Sequence, residues 1–356
     1  MSLIEYKCPN CGGPIKFDPQ QGLFTCEYCK SKFAETDLNK MTEKQEQKES
    51  QKPAEENADD SSEDAKVYTC PSCGATIVTD ATTAATFCYY CHNPVVLSGR
   101  LEGRYKPDYV VPFKIDRKKA LEIFEEWIKN KKYVPREFYS KDQIEKFTGV
   151  YFPYLLYTCR IDGEIDAQAT KKTVSMAGNI ESTTNETYHV VRRGNMEVKH
   201  VMKNALKKVN SILAECVLPF DASELKPFNM SYLSGFLAEK RDMEKEDFAE
   251  TVEQEVREYA AAQLKASASQ YDNITVTKDN TKLVNPKWEY ALMPVWTLTY
   301  NDNGKIYYFS INGQTGKTIG ELPVDERKIK KTFLLIFLIM GFALALFFFL
   351  IFGGLA

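Results

Sequence analysis

The chain has 356 residues, and its 46 Lys and Arg nearly balance 49 Asp and Glu, for a formal net charge of -3. So neutral a chain argues against a strongly charged partner, and its mean hydropathy of -0.38 is that of a largely soluble protein. MSLIEYKCPNCGG has no basic n-region followed by an apolar run, so no signal peptide is expected.

The first hundred residues are organised by cysteine. Cys8-Pro9-Asn10-Cys11-Gly12 is followed after fourteen residues by Cys26-Glu27-Tyr28-Cys29. Cys70-Pro71-Ser72-Cys73-Gly74 is followed after another fourteen by Cys88-Tyr89-Tyr90-Cys91. Each C-x2-C turn aims two sulfurs at one point, and two such turns complete a tetrahedral four-thiolate site. The spacing therefore predicts two zinc ions per chain, one at Cys8, Cys11, Cys26 and Cys29, the other at Cys70, Cys73, Cys88 and Cys91. Between the first two pairs, Ile15-Lys16-Phe17 and Leu23-Phe24-Thr25 flank the turn signal DPQQG, which reads as a hairpin. Ile77-Val78 and Thr86-Phe87 repeat the arrangement. Two zinc ribbons follow, over 1–38 and 67–104.

Competing uses of these cysteines fit less well. On the reducing side of a membrane, disulfides do not persist. Cys88-Tyr89-Tyr90-Cys91-His92 matches a haem-attachment string, but haem is attached outside the cytoplasm. His92 then reads as a surface neighbour of the site. A redox C-x-x-C would need a βαβ context that is missing here.

The ribbons are poor candidates for nucleic acid. In the first, Lys7, Lys16, Lys30, Lys32 and Lys40 face Glu5, Asp18, Glu27, Glu35 and Asp37. In the second, Lys66, Arg100 and Arg104 face Asp80 and Glu102. Each zinc tetrathiolate would add about -2, whereas phosphate binding needs clustered cations. Protein partners are favoured. Between the ribbons, residues 39–66 form an acidic stretch, and its Thr42–Ala65 part holds no aromatic, Leu, Ile or Val. Such a segment cannot offset its ordering entropy and is expected to be a disordered tether, leaving the first ribbon free to roam.

From 105 to 325 the composition becomes that of an α+β domain with an antiparallel sheet. Asp116 is placed to N-cap a helix whose stripe is Leu121, Phe124, Trp127 and Ile128. Ser140 and Gln143 form a capping-box pair, with Gly149 ending that short helix. Tyr151–Met176 and Tyr188–Met202 read as strands, with Arg193-Gly194-Asn195 as a hairpin turn. Lys203–Cys216 reads as a strand end passing into helix. Asp247–Lys265 reads as a helix with Phe248, Val252, Val256 and Tyr259 on one side. Val295–Tyr300 and Lys305–Ile311 form a hairpin about Asn301-Asp302-Asn303-Gly304.

A weaker internal likeness links Val111-Pro112-Phe113 and Pro153-Tyr154-Leu155 to Leu218-Pro219-Phe220 and Pro294-Val295-Trp296. It suggests two related halves, 105–216 and 217–325, against chance recurrence of Pro-aromatic strand entries. Asn312-Gly313-Gln314-Thr315-Gly316-Lys317-Thr318 imitates a phosphate loop, but position 311 is Ile where that loop needs Gly, so a tight turn between strands is expected. His189 and His200 have no ligand at useful spacing, and Cys159 and Cys216 read as small buried residues. No catalytic constellation is found, so no enzyme is expected.

The chain closes on FLLIFLIMGFALALFFFLIF, Phe333–Phe352, without a charge. A helix of that length spans roughly 30 Å, the hydrocarbon thickness of a bilayer. Arg327, Lys328, Lys330 and Lys331 precede it and only Gly353–Ala356 follow. A single transmembrane helix (332–353) with the N-terminal domains cytoplasmic is expected.

The pattern resembles bacterial YdjG-type proteins. The resemblance is carried by CPNCGG/CEYC, CPSCGA/CYYC, VVPFKIDRKKALEIFEEWI with GVYFPYLLY, LPFDASELKPFNMSYLSGFLAE, and MPVWTLTYNDNGKIYYFSINGQTGKTIGELP. Members are often labelled after the ribbons of transcription factor TFIIB or the helicase PriA; no helicase motif is present here. The resemblance implies a membrane-stress assembly with a TPM-domain membrane protein, an SPFH-type protein and PspA. A membrane-anchored zinc-ribbon adaptor is the reading favoured, with a nucleic-acid or transcription module as the alternative.

Overall fold

The computed structural model describes residues 3–4, 6–38, 66–70, 73–88, 93–97, 100–207, 217–302 and 304–352. The expected tether (39–66) lies outside these residues except for Lys66, which begins a strand, and Cys91, His92, Cys216 and the segment 208–216 also lie outside them.

A two-residue strand, β1 (Leu3–Ile4), precedes the first ribbon, which is built from β2 (Ile15–Asp18), β3 (Leu23–Cys26) and β4 (Lys32–Phe33). Its hairpin places Phe17 opposite Phe24, as the alternation Ile15-Lys16-Phe17 requires. The second ribbon region contains β5 (Lys66–Thr69), β6 (Thr76–Thr79), β7 (Thr83–Phe87) and β8 (Pro94–Leu97). Here the expected pairing of Ile77-Val78 with Thr86-Phe87 does not form. Instead β6 pairs with β5, while β7 pairs with β8. The cause lies at the bend. Asp80 Oδ1 accepts from the Thr83 N–H at 2.8 Å, and the Arg100 guanidinium donates to the Asp80 and Ala81 carbonyls and to the Tyr68 hydroxyl. The bend turns β7 into the main sheet, where Ala84 and Ala85 are small enough to be fully buried.

The central domain continues with β9 (Tyr109–Val110), α1 (Arg117–Lys129), α2 (Lys141–Glu145), β10 (Thr148–Ala177) and β11 (Ile180–Asn204). It then adds β12 (Lys226–Pro227), β13 (Leu237–Glu239), α3 (Ala249–Ala266), β14 (Asn273–Asp279), β15 (Lys282–Asp302), β16 (Lys305–Asn312) and β17 (Thr318–Gly320). Among the described residues twelve strands join one sheet whose main path runs β1-β8-β7-β13-β10-β15-β16-β17. The sheet is mixed, not wholly antiparallel: β9 runs parallel to β15, and β13 runs parallel to β10.

Caps and stripes behave largely as read. Asp116 accepts from the Lys119 N–H at 2.7 Å, and Ala120 and Phe124 are buried. Ser140 caps α2, but Gln143 donates its side-chain amide to the Thr299 carbonyl and closes no box. Gly149 does not end that helix. It lies in β10, where an added Cβ would stand 2.7 Å from the Phe236 ring. In α3 the buried stripe is Val252, Val256, Ala260 and Leu264, while Tyr259 is exposed.

The turn expected at Arg193-Gly194-Asn195 is absent, because β11 runs straight through it. Gly163 and Gly194 face each other in register, and Leu264 of α3 packs against both. An added Cβ at Gly163 would meet Met196 at 3.0 Å and both the Gly194 carbonyl oxygen and Leu264 at 3.1 Å. These glycines admit a helix to the sheet; they do not turn the chain. Gly163→Val is expected to destabilise the fold by about 1–3 kcal/mol in urea unfolding, despite valine's better strand propensity. A stabilised variant would refute the close-approach argument.

Among the described residues the largest of the buried clusters is rich in aromatic rings. Phe113 stacks on Phe236 at 4.2 Å between ring centroids, Phe147 on Trp296 at 5.6 Å, and Phe124 meets Phe309 at 4.8 Å. The last helix, α4 (Glu326–Phe352), is 27 residues long. Within its stretch Glu326–Phe348 the most apolar 18-residue window has a mean hydropathy of 2.4 and is 0% buried, so the helix is long and apolar enough to cross a membrane.

Candidate metal centres and neighbouring surfaces

The C-P-x-C-G turn forces a particular backbone, and the two ribbons build it alike. Gly12 N donates to the Cys8 carbonyl at 2.8 Å and Gly74 N to the Cys70 carbonyl at 2.9 Å. Cys8 N donates to Gly13 O and Cys70 N to Ala75 O, both at 2.7 Å. Gly12 and Gly74 both sit at φ +74°, a region that disfavours side chains. Gly13 is needed for another reason: an added Cβ would lie 2.6 Å from the Tyr28 ring.

These turns bring Cys8, Cys11, Cys26 and Cys29 together, with all four sulfurs within 4.8 Å of one another. Cys8 and Cys29 sulfurs are 3.5 Å apart, as are those of Cys11 and Cys26. A tetrahedral ion with metal–sulfur bonds of about 2.3 Å sets its ligands about 3.8 Å apart, so the cage fits a tetrathiolate metal. A disulfide, with sulfurs about 2.05 Å apart, does not fit. In the second centre Cys70, Cys73 and Cys88 gather in the same way, with Cys73 and Cys88 sulfurs 3.7 Å apart. The fourth predicted ligand, Cys91, is outside the described residues.

Cys8 and Cys26 are buried, while Cys11 and Cys29 are exposed. The hydroxyl and N–H of Ser31 hold the Cys29 thiol down at about 6. The Gly13 N–H draws Cys11 down, but the surrounding sulfurs and burial outweigh it and push that thiol up to about 12. Four thiols this close cannot all ionise comfortably without a cation among them. A bound cation would remove that conflict and release protons.

Ser31 is one residue that sequence reasoning passed over. Others fix the ribbon to its neighbour. Phe17 N donates to the Ser234 carbonyl at 3.2 Å, and the Ser234 hydroxyl donates to the Ile15 carbonyl. Tyr232 packs its ring against Phe17 at 5.2 Å and Phe24 at 5.7 Å, and its hydroxyl donates to Glu35. Burial, then the Glu35 carboxylate, push that phenol well above its ordinary value. Gln20 donates to Asp116, the α1 cap, at 2.6 Å. The first ribbon is therefore seated on the central domain, contrary to the roaming module expected from the tether. Phe17, Phe24, Cys8 and Cys26 belong to one buried cluster with Phe113 and Trp296.

Cys159, His189 and His200 are not among the residues gathered in either cage. Cys159 is buried, its thiol pushed up by that burial. His189 is exposed and His200 occupies an irregular stretch of β11 at φ +54°. A half-open groove of about 410 Å³ runs between Arg104, Asp108, Arg241, Glu244, Glu289 and Tyr290. Its charges are largely taken up internally: Arg241 pairs with Glu244, Lys287 with Glu289, and Asp108 accepts from Tyr290 N. The phosphate-loop imitation is a structural turn. Asn312 N donates to Lys317 O at 2.8 Å, and β17 follows where a helix would be needed.

The most prominent surface feature was only half legible: β10 and β11 form one hairpin whose register runs from Tyr154↔Asn204 to Ala177↔Ile180. β14 supports it as far as Thr170. Beyond that point about seven residues per strand, some 24 Å, project as two strands alone. Val174, Met176 and Ile180 near the tip are 49%, 73% and 71% exposed.

No family model matches the chain, and no solved structure matches it. It is 30% identical over 331 residues to "Uncharacterized protein YdjG" of Bacillus subtilis (strain 168), a match covering 93% of each chain. That likeness does not reach TFIIB or PriA, whose labels find no support. Identity of 30% over 93% of both chains makes this chain a member of the YdjG family.

Proposed function

We propose that the chain is a membrane-anchored zinc-ribbon adaptor, holding two Zn2+ and recruiting protein partners to the cytoplasmic face of the membrane. The observation that carries the reading is the projecting arm of β10 and β11. A two-stranded ribbon is marginal in water by itself, and three apolar side chains displayed at its tip favour a protein surface as their cover. The seated first ribbon makes the arm, and not a tethered ribbon, the better docking element. α4 would supply the single span, with its preceding cations holding the domains inside. The partners are those implied by the resemblance, SPFH-type and PspA-type proteins and a TPM-domain membrane protein. The protein would act by recruitment, without chemistry of its own.

The test uses the full chain carrying V174T, M176T and I180T. Recovery of SPFH-type and PspA-type partners from membranes is expected to fall at least tenfold, about 1.4 kcal/mol. Membrane retention and zinc content should be unchanged. Undiminished recovery would rule out the arm as the docking element, and tight DNA binding at physiological salt would favour the nucleic-acid reading.

We also infer an internal duplication, on a different correspondence from that of Val111-Pro112-Phe113 with Leu218-Pro219-Phe220. Tyr109 pairs in parallel with Ala291, three residues before Pro294, and Leu237 pairs in parallel with Val150, three residues before Pro153. Each short strand precedes a helix and then a long strand of its own half. The equivalent pieces would be β9 with α1 and β10, and β13 with α3 and β15.

A further inference from the structure

The end of α1 and the loop after it carry Lys129, Lys131, Lys132 and Arg136, with no acidic residue among 129–136. All four are exposed, and none forms an ion pair among the described residues. This loop is not near the apolar helix in sequence, yet the fold binds it to that helix's base. Asp325 N donates to the Tyr133 carbonyl at 2.7 Å, and Lys328 Nζ donates to the Val134 carbonyl at 2.6 Å. The loop thus joins Arg327, Lys330 and Lys331 at one end of the molecule.

Eight Lys and Arg at this end, Lys129, Lys131, Lys132, Arg136, Arg327, Lys328, Lys330 and Lys331, outnumber its acids Glu137, Asp325 and Glu326. Asp325 Oδ1 accepts the N–H groups of Arg327 and Lys328 at 3.0 and 3.2 Å, and Glu326 pairs with Lys330 at 3.2 Å. The Lys131 ammonium lies over the Trp127 ring, 5.4 Å from its centroid, a cation–π contact that holds this exposed charge at the end of α1. Tyr133, 39% exposed, sits between the cations as an amphipathic ring.

We propose that residues 129–136, together with the start of α4, form a basic collar that binds the anionic headgroups of the bilayer. The inference rests on the reading of α4 as a membrane span. Lys328, which holds the loop, lies five residues before Phe333, about 7.5 Å along a helix axis. The polar layer of a bilayer is roughly 5–8 Å thick on each side, so the loop falls at headgroup level. Each Lys or Arg at an anionic surface strengthens attraction about fivefold, and a collar of this size would fix how the domain stands on the membrane. With the base of the helix pinned by two hydrogen bonds, the arm would then point in a defined direction.

The full chain is placed in nanodiscs of phosphatidylcholine alone and in discs enriched in phosphatidylglycerol, and amide hydrogen exchange is followed across 129–136. Exchange there should slow on the order of tenfold in the anionic discs and recover in high salt, where the Debye length is short. The arm, residues 171–186, should be indifferent to lipid. K129Q/K131Q/K132Q/R136Q should abolish the lipid dependence at unchanged melting temperature and zinc content. Equal exchange in both discs would overturn the collar and leave the span standing. A chain that enters neither disc would overturn the span and the collar together.

Discussion

Cys26→Ser is expected to weaken far more than the first ribbon: the melting temperature of the whole sheet domain should fall by on the order of 10 °C. Cys26 is fully buried, and its sulfur is one corner of the first cage. On the proposed reading that the cage holds an ion, its loss leaves the two turns without what closes them, since a ribbon of this size has almost no core of its own. Its Ile15, Phe17 and Phe24 then lose their position, and with it the cover they give Tyr232. Three such side chains at about 1.5–3 kcal/mol each amount to roughly 5 kcal/mol or more. For a domain of this size each kcal/mol moves the melting point by about 2–4 °C. Calorimetry of the full chain, with and without a strong chelator, makes the measurement, and elemental analysis should show one metal ion fewer in the variant. Two separate transitions, with the larger unmoved, would show the ribbon to be an independent bead and its contacts with Tyr232 and Ser234 to be weak.

What was legible in the chain was local. The C-x2-C pairs, the hairpin across DPQQG and the Asp116 cap each involve residues within a few turns of one another. An uninterrupted apolar run sufficed for α4, and periodicity for most of α3. What was hidden depended on partners far along the chain. Gly194 looks like a turn residue until Leu264 is known to lie against it. Tyr232 and Ser234 give no sign in sequence that they seat Phe17 and Ile15, some two hundred positions earlier. The second ribbon's strands part company because Arg100 and Asp80 shape the bend between them, which no alternation pattern records. The sulfur cages were readable because metal ligation demands fixed residue types at fixed spacing. The collar was not, because Lys129–Arg136 and Arg327–Lys331 meet only through the fold.

The second large effect is expected at Asn312, and it separates a structural turn from a nucleotide site. Asn312 is fully buried, and its side chain makes four hydrogen bonds to backbone groups. Its amide donates to the carbonyls of Val217 and Pro219, each at 3.0 Å, and its Oδ1 accepts from Gln314 N and Thr315 N, each at 2.9 Å. Gln314 completes the clasp, accepting from Asp221 N at 2.7 Å and donating to Asp221 O at 3.2 Å. The loop therefore spends its polar groups on the segment around Val217–Asp221, where a phosphate loop would turn backbone N–H groups toward an anion. Asn312→Ala removes both halves of the side-chain amide and strands several backbone groups at a site with little room for water. A loss of about 3 kcal/mol or more is expected in urea unfolding. Asn312→Asp should also destabilise, because a carboxylate accepts where Val217 and Pro219 need a donor. Lys317→Ala removes one exposed donor to the Leu218 carbonyl and should cost much less. ATP or GTP with Mg2+ should leave the melting temperature of the unaltered chain unmoved, since only a ligand that binds the folded state raises it. A clear rise with nucleotide, lost in Lys317→Ala, would make this turn a binding site and reopen the question of chemistry in the central domain.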